Sequence, residues 1–341
     1  MKAPHRYVRP LVQHGPARPD GALSLAQTSG WFTHAEIMLR DGPPDIVPVT
    51  DLAAPERSCL TGPRADIAGL SMDRPRIMGI LNATPDSFSD GGRHRAAADA
   101  VAAGLAMAEA GADLLDVGGE STRPGAETVP ACEEVARVVP VIEGLRAAGY
   151  EGLISVDTRK AAVAVAALAA GAGMVNDVSG LTHDPHMVEV VAKAEVPVCV
   201  MHALGDPATM QQNPTYDDVV LDVYDFLAGR IAALEAAGIP RARIIADPGI
   251  GFGKTQFHNL ALLARLSLFH SLDTPLLLGA SRKRFIGTIS GVAQAGQRVA
   301  GSVGVALAGV AQGVQMLRVH DVAETRQAIA LWQASMAGRH P

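Results

Sequence analysis

Eight short segments of this chain end in polar or charged residues that could do chemistry together. In order they are Asn82-Ala83-Thr84-Pro85-Asp86-Ser87-Phe88-Ser89-Asp90-Gly91-Gly92, Asp116-Val117-Gly118-Gly119-Glu120-Ser121-Thr122-Arg123-Pro124-Gly125, Asp157-Thr158-Arg159-Lys160, Asn176-Asp177, Met201-His202, Asp247-Pro248-Gly249-Ile250-Gly251-Phe252-Gly253-Lys254, Ser281-Arg282-Lys283 and Arg318-Val319-His320-Asp321. A single Asp or Asn at the end of a strand usually caps the next helix. Eight such endings in succession point instead to a shared site. Asp157, Asn176 and Asp247 together suit a ligand with several ring N–H donors and acceptors, as a planar heterocycle has. Lys283 and Arg318 suit an anion such as phosphate, and a guanidinium can also stack on a flat ring. His320 precedes Asp321-Val322-Ala323-Glu324, a D-x-x-E pattern that predicts a capping box and a helix running to about Met336. An anion beside that helix start would meet free N–H groups.

The elements that must position these groups are legible as apolar runs. Ile77 to Leu81, Leu114 to Val117, Ile154 to Val156, Met174 to Asn176, Val198 to Met201, Ile244 to Ala246, Leu276 to Leu278 and Met316 to Val319 are continuous rather than alternating, which suits parallel strands covered on both faces. Ala-rich stretches long enough for crossover helices separate them. Gly111, Gly171 and Gly313 stand where three of those helices should stop. Eight such units predict an α/β fold, a (β/α)8 TIM barrel, with a doubly wound open sheet as the runner-up. In a barrel all eight strand ends face one rim. Ten of the 22 prolines fall in the first 75 residues, where no periodic pattern persists. Residues 1–74 therefore read as an extension, accessory or partly ordered, and 75–335 as the barrel domain.

Composition narrows the function classes. The 341 residues are 48% hydrophobic and 19% charged, with a formal net charge of −6, which argues against a general attraction to nucleic acid or anionic membrane. Three scattered cysteines, Cys59, Cys132 and Cys199, form no CxxC pair and fit a reducing cytoplasm. The opening MKAPHRYVRPLVQHG lacks the apolar core of a secretory signal. Val299 to Leu317 is apolar but contains Gln312 and Gln315, and reads as a buried helix running into a strand rather than a membrane span. Pro248 stands where a phosphate-binding GxxxxGK[ST] loop needs glycine, and His183 with His186 lack a third metal ligand.

With these motifs assembled, the stretch from about Arg76 to Trp332 resembles the bacterial dihydropteroate synthase family. The strongest parts are Asn82 to Gly92 and Gly118 to Gly125, with Asp247 to Lys254, Ser281 to Lys283 and Arg318 to His320 following in the expected order. The resemblance implies a TIM barrel, a homodimer, Mg2+ as cofactor, and two small-molecule substrates, a pterin diphosphate and 4-aminobenzoate. It implies that Asp157, Asn176, Asp247 and Lys283 hold the pterin with Arg318 over its face, that Asn82 serves Mg2+ and the diphosphate, and that Arg318 and His320 contact the anion. It further implies that Phe88, Thr122, Arg123, Pro124 and Phe252 form the aminobenzoate pocket, and that Asp90, Arg123, Lys283, Arg318 and His320 carry the catalysis. Arg284 replaces a small serine common in the family. Two alternatives use similar pterin-gripping residues: a methyltetrahydrofolate:corrinoid methyltransferase, which expels no diphosphate, and a catalytically silent pterin-binding paralogue, which should have lost some of these loop and anion residues.

Overall fold

The computed structural model describes residues 6–83, 92–121, 128–205 and 209–338, with the side chains of 92–95 left aside. The first part of the chain forms strands β1 (Tyr7–Pro10), β2 (Leu23–Ser24), β3 (Trp31–Phe32), β4 (His34–Met38) and β5 (Asp45–Pro48), then helix α1 (Ala54–Thr61). β1, β4 and β5 make an antiparallel sheet, and β2 pairs with β3. Val8, Leu25, Phe32, Ala35, Ile37 and Leu60 give this layer its own apolar core. It leans on the barrel through the 3-10 segment Leu266–Leu272, where the Ser267 hydroxyl donates to the Pro10 carbonyl at 2.9 Å.

Strands and helices then alternate. They are β6 (Arg76–Asn82), α2 (Gly92–Glu109), β7 (Leu114–Gly118), α3 (Ala131–Ala147), β8 (Leu153–Asp157), α4 (Ala161–Ala169), β9 (Met174–Asp177), α5 (Met187–Ala194) and β10 (Val198–Met201). After these come α6 (Val219–Ala236), β11 (Ile244–Asp247), α7 (Gln256–Ala264), β12 (Leu277–Leu278), α8 (Arg284–Ser290), α9 (Val299–Val310), β13 (Met316–Val319) and α10 (Val322–Ala337). Each of the eight strands β6 to β13 pairs in parallel with its neighbour in sequence, and β13 returns to β6. A bridge from Ala246 to Leu276 joins β11 to the β12 segment and closes the ring. This is the eightfold α/β barrel that the apolar runs predict. The apolar run from Val299 is likewise a helix followed by a strand, and among the described residues no helix is long and apolar enough to cross a membrane.

Register does the first work of building a site. Asn82 lies opposite Gly118, Gly118 opposite Asp157, and Asp157 opposite Asn176, so one row of residues crosses the C-terminal ends of four adjacent strands. Met201 and Asp247 are likewise paired on β10 and β11.

The opposite mouth is closed by the extension. Ala68 and Gly69 take positive φ between Ile67 and Leu70, whose N–H and C=O groups bond each other at 2.9 Å in both directions, giving a tight two-residue hairpin. Ile67 and Met72 then cluster with Met78, Leu114, Met174, Cys199, Ile245, Leu277 and Met316, the side chains of the strand beginnings. Arg64 pins this segment: its buried guanidinium meets the Asp273 carboxylate at 2.6 Å and also donates to the carbonyls of Cys59 and His270.

Candidate active site

The C-terminal ends of β7, β8, β9 and β13 converge on one guanidinium. Asp116 is completely buried, and its Oδ2 accepts from Asn176 Nδ2 at 3.0 Å and from Arg318 Nε at 2.5 Å. Arg318 Nη2 donates to Asp157 Oδ2 at 2.6 Å, so a single flat side chain spans two carboxylates. The other oxygens, Asp116 Oδ1 and Asp157 Oδ1, are buried and meet no donor among the described residues. Leaving a buried acceptor unmade costs about 1–3 kcal/mol, so two side by side call for donors from a ligand. Burial pushes the Asp157 carboxyl up to about 7, against the pull of Arg318 and with the Asp116 charge adding to the rise.

Asp247 belongs to the same floor. A side chain built on Gly279 would sit 3.6 Å from Asp247 Oδ2 and 3.8 Å from Arg318 Cβ, so this glycine keeps open the gap between them. Burial raises the Asp247 pKa, while the Gly249 N–H, 2.7 Å from Oδ1, favours the charged form. The turn that follows is pressed against residues 202–204: a Cβ at Gly249 would stand 1.9 Å from the His202 carbonyl oxygen, and one at Gly253 2.6 Å from Leu204 Cβ. Both glycines also take positive φ, so a side chain fails there on two counts. The opposite face of the turn holds Lys283, whose half-buried ammonium donates to the Ile250 carbonyl and lies 4.1 Å from the Phe252 ring centroid. Burial pushes Lys283 down to about 7, opposed by Asp247.

The seventh and eighth strand ends meet through Ser281 and His320. The His320 N–H donates to Ser281 Oγ at 3.2 Å, and His320 Nδ1 lies 3.0 Å from the same hydroxyl. Here the expected capping box fails. Asp321 is the N-cap residue of α10 but its side chain bonds no helix N–H; both carboxylate oxygens are taken by the Arg282 guanidinium, Nε at 3.1 Å and Nη2 closer still. A charged fork-to-carboxylate pair outbids a neutral backbone N–H. Arg282 itself has φ +58°, held by its N–H to Ser302 Oγ at 2.8 Å and by Arg298 Nη1 to its carbonyl at 2.9 Å.

Of the residues singled out in the sequence, Asp157, Asn176, Asp247, Lys283, Phe252 and Arg318 are thus brought together. Asn82 stands in the same row of strand ends, and His320 adjoins the loop that carries Lys283. Asp86, Phe88, Asp90, Thr122, Arg123 and Pro124 lie outside the described residues. Asp116 was not among the expected site residues, although a charge inside an otherwise apolar strand, two residues before Gly118 and so on the same face, is a readable signal. Also missed was a buried ionic cluster around Glu120 and Glu134. Lys160 Nζ lies 2.5 Å from both Glu120 and Glu134, while Glu120 accepts from the Val129 N–H and Arg159 donates to Thr128. Among the described residues no group of three or more His, Cys, Asp or Glu is arranged to hold a metal. Asn82 offers one neutral oxygen, which suits an ion bound mainly by substrate phosphates and water.

Comparison with known proteins gives this geometry its relatives. The family of pterin binding enzymes matches residues 78–320. The dihydropteroate synthase of Escherichia coli K12 is 46% identical over 270 residues, covering 79% of this chain and 95% of its own. Among solved structures, Xanthomonas albilineans dihydropteroate synthase with 4-aminobenzoic acid aligns with a TM-score of 0.76 at 53% identity, covering 81% of this chain and 98% of that one. The same enzyme in complex with 7,8-dihydropteroate aligns at 0.72 and 50% identity, with 81% and 99% covered. With a family match over most of the barrel and relatives this similar over about four fifths of its length, the chain belongs to the dihydropteroate synthase family of pterin-binding enzymes.

Proposed function

We propose that this protein condenses (7,8-dihydropterin-6-yl)methyl diphosphate with 4-aminobenzoate, giving 7,8-dihydropteroate and diphosphate. The observation that carries the reading is the pair of partnerless buried acceptors, Asp116 Oδ1 and Asp157 Oδ1, beside Asn176, Asp247 and Arg318. A pterin ring supplies N–H donors for those oxygens and a flat face for the guanidinium. Asp157, Asn176, Asp247 and Lys283 bind the ring, with Arg318 across it. Phe252 borders the aminobenzoate, together with Phe88, Thr122, Arg123 and Pro124. Asn82, Arg318 and His320 receive the diphosphate, and Asp90 and Arg123 complete the catalytic set.

The methylene C–O bond breaks and its electron pair leaves on the diphosphate; the amine nitrogen forms the new C–N bond and releases a proton. An aromatic amine is a weak nucleophile, so departure leads and positive charge spreads into the ring, where the carboxylates of Asp157 and Asp247 favour it. Arg318 and His320 stabilise the leaving charge. Asn82, with the substrate diphosphate, would hold Mg2+, and the ion would supply further neutralisation of that charge. Holding both reactants in line contributes about 7–11 kcal/mol, which makes a protein nucleophile unnecessary. Residues 75–335 are the catalytic unit, 1–74 an accessory layer, and the working form is a cytoplasmic homodimer.

Purified protein given Mg2+ and both substrates should release diphosphate and form dihydropteroate in equal amounts. Folded, metal-replete protein that binds the pterin without turnover would instead be the silent paralogue.

A further inference from the structure

Beneath the Asp247 turn lies a second lysine that the reaction does not touch. Lys254 is only 3% exposed, and among the described residues its ammonium makes no ion pair with a carboxylate. It is ringed by main-chain oxygens: the carbonyls of Gly249 at 2.9 Å, Phe252 at 3.0 Å and His202 at 3.2 Å, with His202 Nδ1 at 2.8 Å. Burial and the Lys283 charge push the Lys254 pKa well below the ordinary lysine value, opposed by Asp247, while four acceptors around one nitrogen favour the protonated form. A cation so placed is expensive and is kept only if its hydrogen bonds hold something in place. What they hold is the turn from Gly249 to Phe252. The same few residues present the Ile250 carbonyl and the Phe252 ring to Lys283, on the side of the turn that faces the site. His202 is locked in turn by edge contact with the Phe226 ring at 4.9 Å, and burial and the Lys254 charge push its pKa down to about 3, so that it accepts rather than donates.

We infer that Lys254 is a positioning residue: its ammonium is a built-in cation around which the turn is wound, and it sets where Phe252 and Lys283 stand toward the two substrates. The inference rests on the proposed synthase activity. Two lysines thus divide one turn between them, Lys254 inside as template and Lys283 outside at the site.

The test is Lys254→Ala, which deletes a fragment the size of n-propylamine. If the turn drifts, kcat/KM for aminobenzoate falls about tenfold or more, since misplacement of about 1 Å can cost more than that. Pterin affinity should fall by less than about threefold in calorimetry, because Asp157, Asn176 and Asp247 stay in place and only the Lys283 contact shifts. Added n-propylammonium should restore turnover in a saturable way, and n-propanol should not. A folded variant whose kinetic constants stay within about twofold of the unsubstituted protein overturns the inference, and so does a loss of activity that tracks melting temperature and ignores the amine. Should Lys254→Ala fail to fold, His202→Leu keeps all three carbonyls and the lysine while removing one acceptor. It must then raise the aminobenzoate KM by more than it weakens pterin binding, and an unchanged KM overturns the inference. The unsubstituted protein in the same assay separates the two claims: no turnover there sinks the synthase reading itself.

Discussion

The two mouths of the barrel are made by the same eight strands and hold opposite contents. Where the strands begin, Ile67 and Met72 from the extension complete an apolar cluster. Where they end, Asp116, Asp157 and Asp247 are also enclosed, yet Asp116 and Asp157 each keep one carboxylate oxygen without a donor among the described residues, and an arginine is stretched between them. One end spends its burial on cohesion. Under the proposed function, the other tolerates buried charge because the pterin completes it. Substitutions at the two ends should therefore fail in different ways, and the contrast can be broken or sharpened by experiment.

The largest effect is expected at the polar mouth. Under the proposed function Asp157→Asn removes a carboxylate that the cationic ring needs, and kcat/KM for the pterin diphosphate should fall about 100-fold or more. Asp116 still holds Arg318, so the melting temperature should hardly move. A thermal loss as large as that of a core truncation would erase the distinction between the mouths. Met72→Ala is the mirror experiment: denaturant unfolding should show about 2–5 kcal/mol of lost stability, with turnover per folded molecule unchanged. Altered substrate affinity in that variant would mean that the plug and the site are coupled.

Smaller effects sharpen the polar end. Burial brings Asp157 up to about 7 and Lys283 down to about 7. Asp157 must lose its proton to favour the cationic ring, and Lys283 must keep its own to donate. Hence kcat/KM should rise and then fall as pH passes through neutrality, and Lys283→Arg should abolish the alkaline fall because a guanidinium stays charged. A profile flat from roughly pH 5 to 9 would contradict both assignments. Smallest is Asp321→Asn. Loss of the charged fork to Arg282 should loosen the Ser281–His320 pair and raise KM for the pterin diphosphate about two- to fivefold, with aminobenzoate unaffected.

Much of this could be read from the chain itself. Strands covered on both faces leave continuous apolar runs, and the register of those runs carries Asn82, Asp157 and Asn176 to one rim without help from distant contacts. What escaped reading depends on partners far along the chain. Asp321 looks like a helix cap until Arg282, 39 residues earlier, claims it. Arg64 reads as an unremarkable cation until it finds Asp273, 209 residues on, and with it the anchor of the hairpin that fills the lower mouth. Lys254 reads as a failed phosphate loop, because the carbonyl ring that explains it exists only once the chain has turned back on residue 202.

The crowding at Gly249 and Gly253 has an evolutionary side. Any larger residue at 249 drives into a main-chain oxygen, and at 253 into Leu204, so this floor cannot be redrawn one codon at a time. An inhibitor that leans on its backbone faces a wall that heredity cannot easily edit, whereas one that leans on the Phe252 ring rests on a side chain that can change without moving the backbone. Resistance selected in a growing population should then gather at 252 and spare 249 and 253.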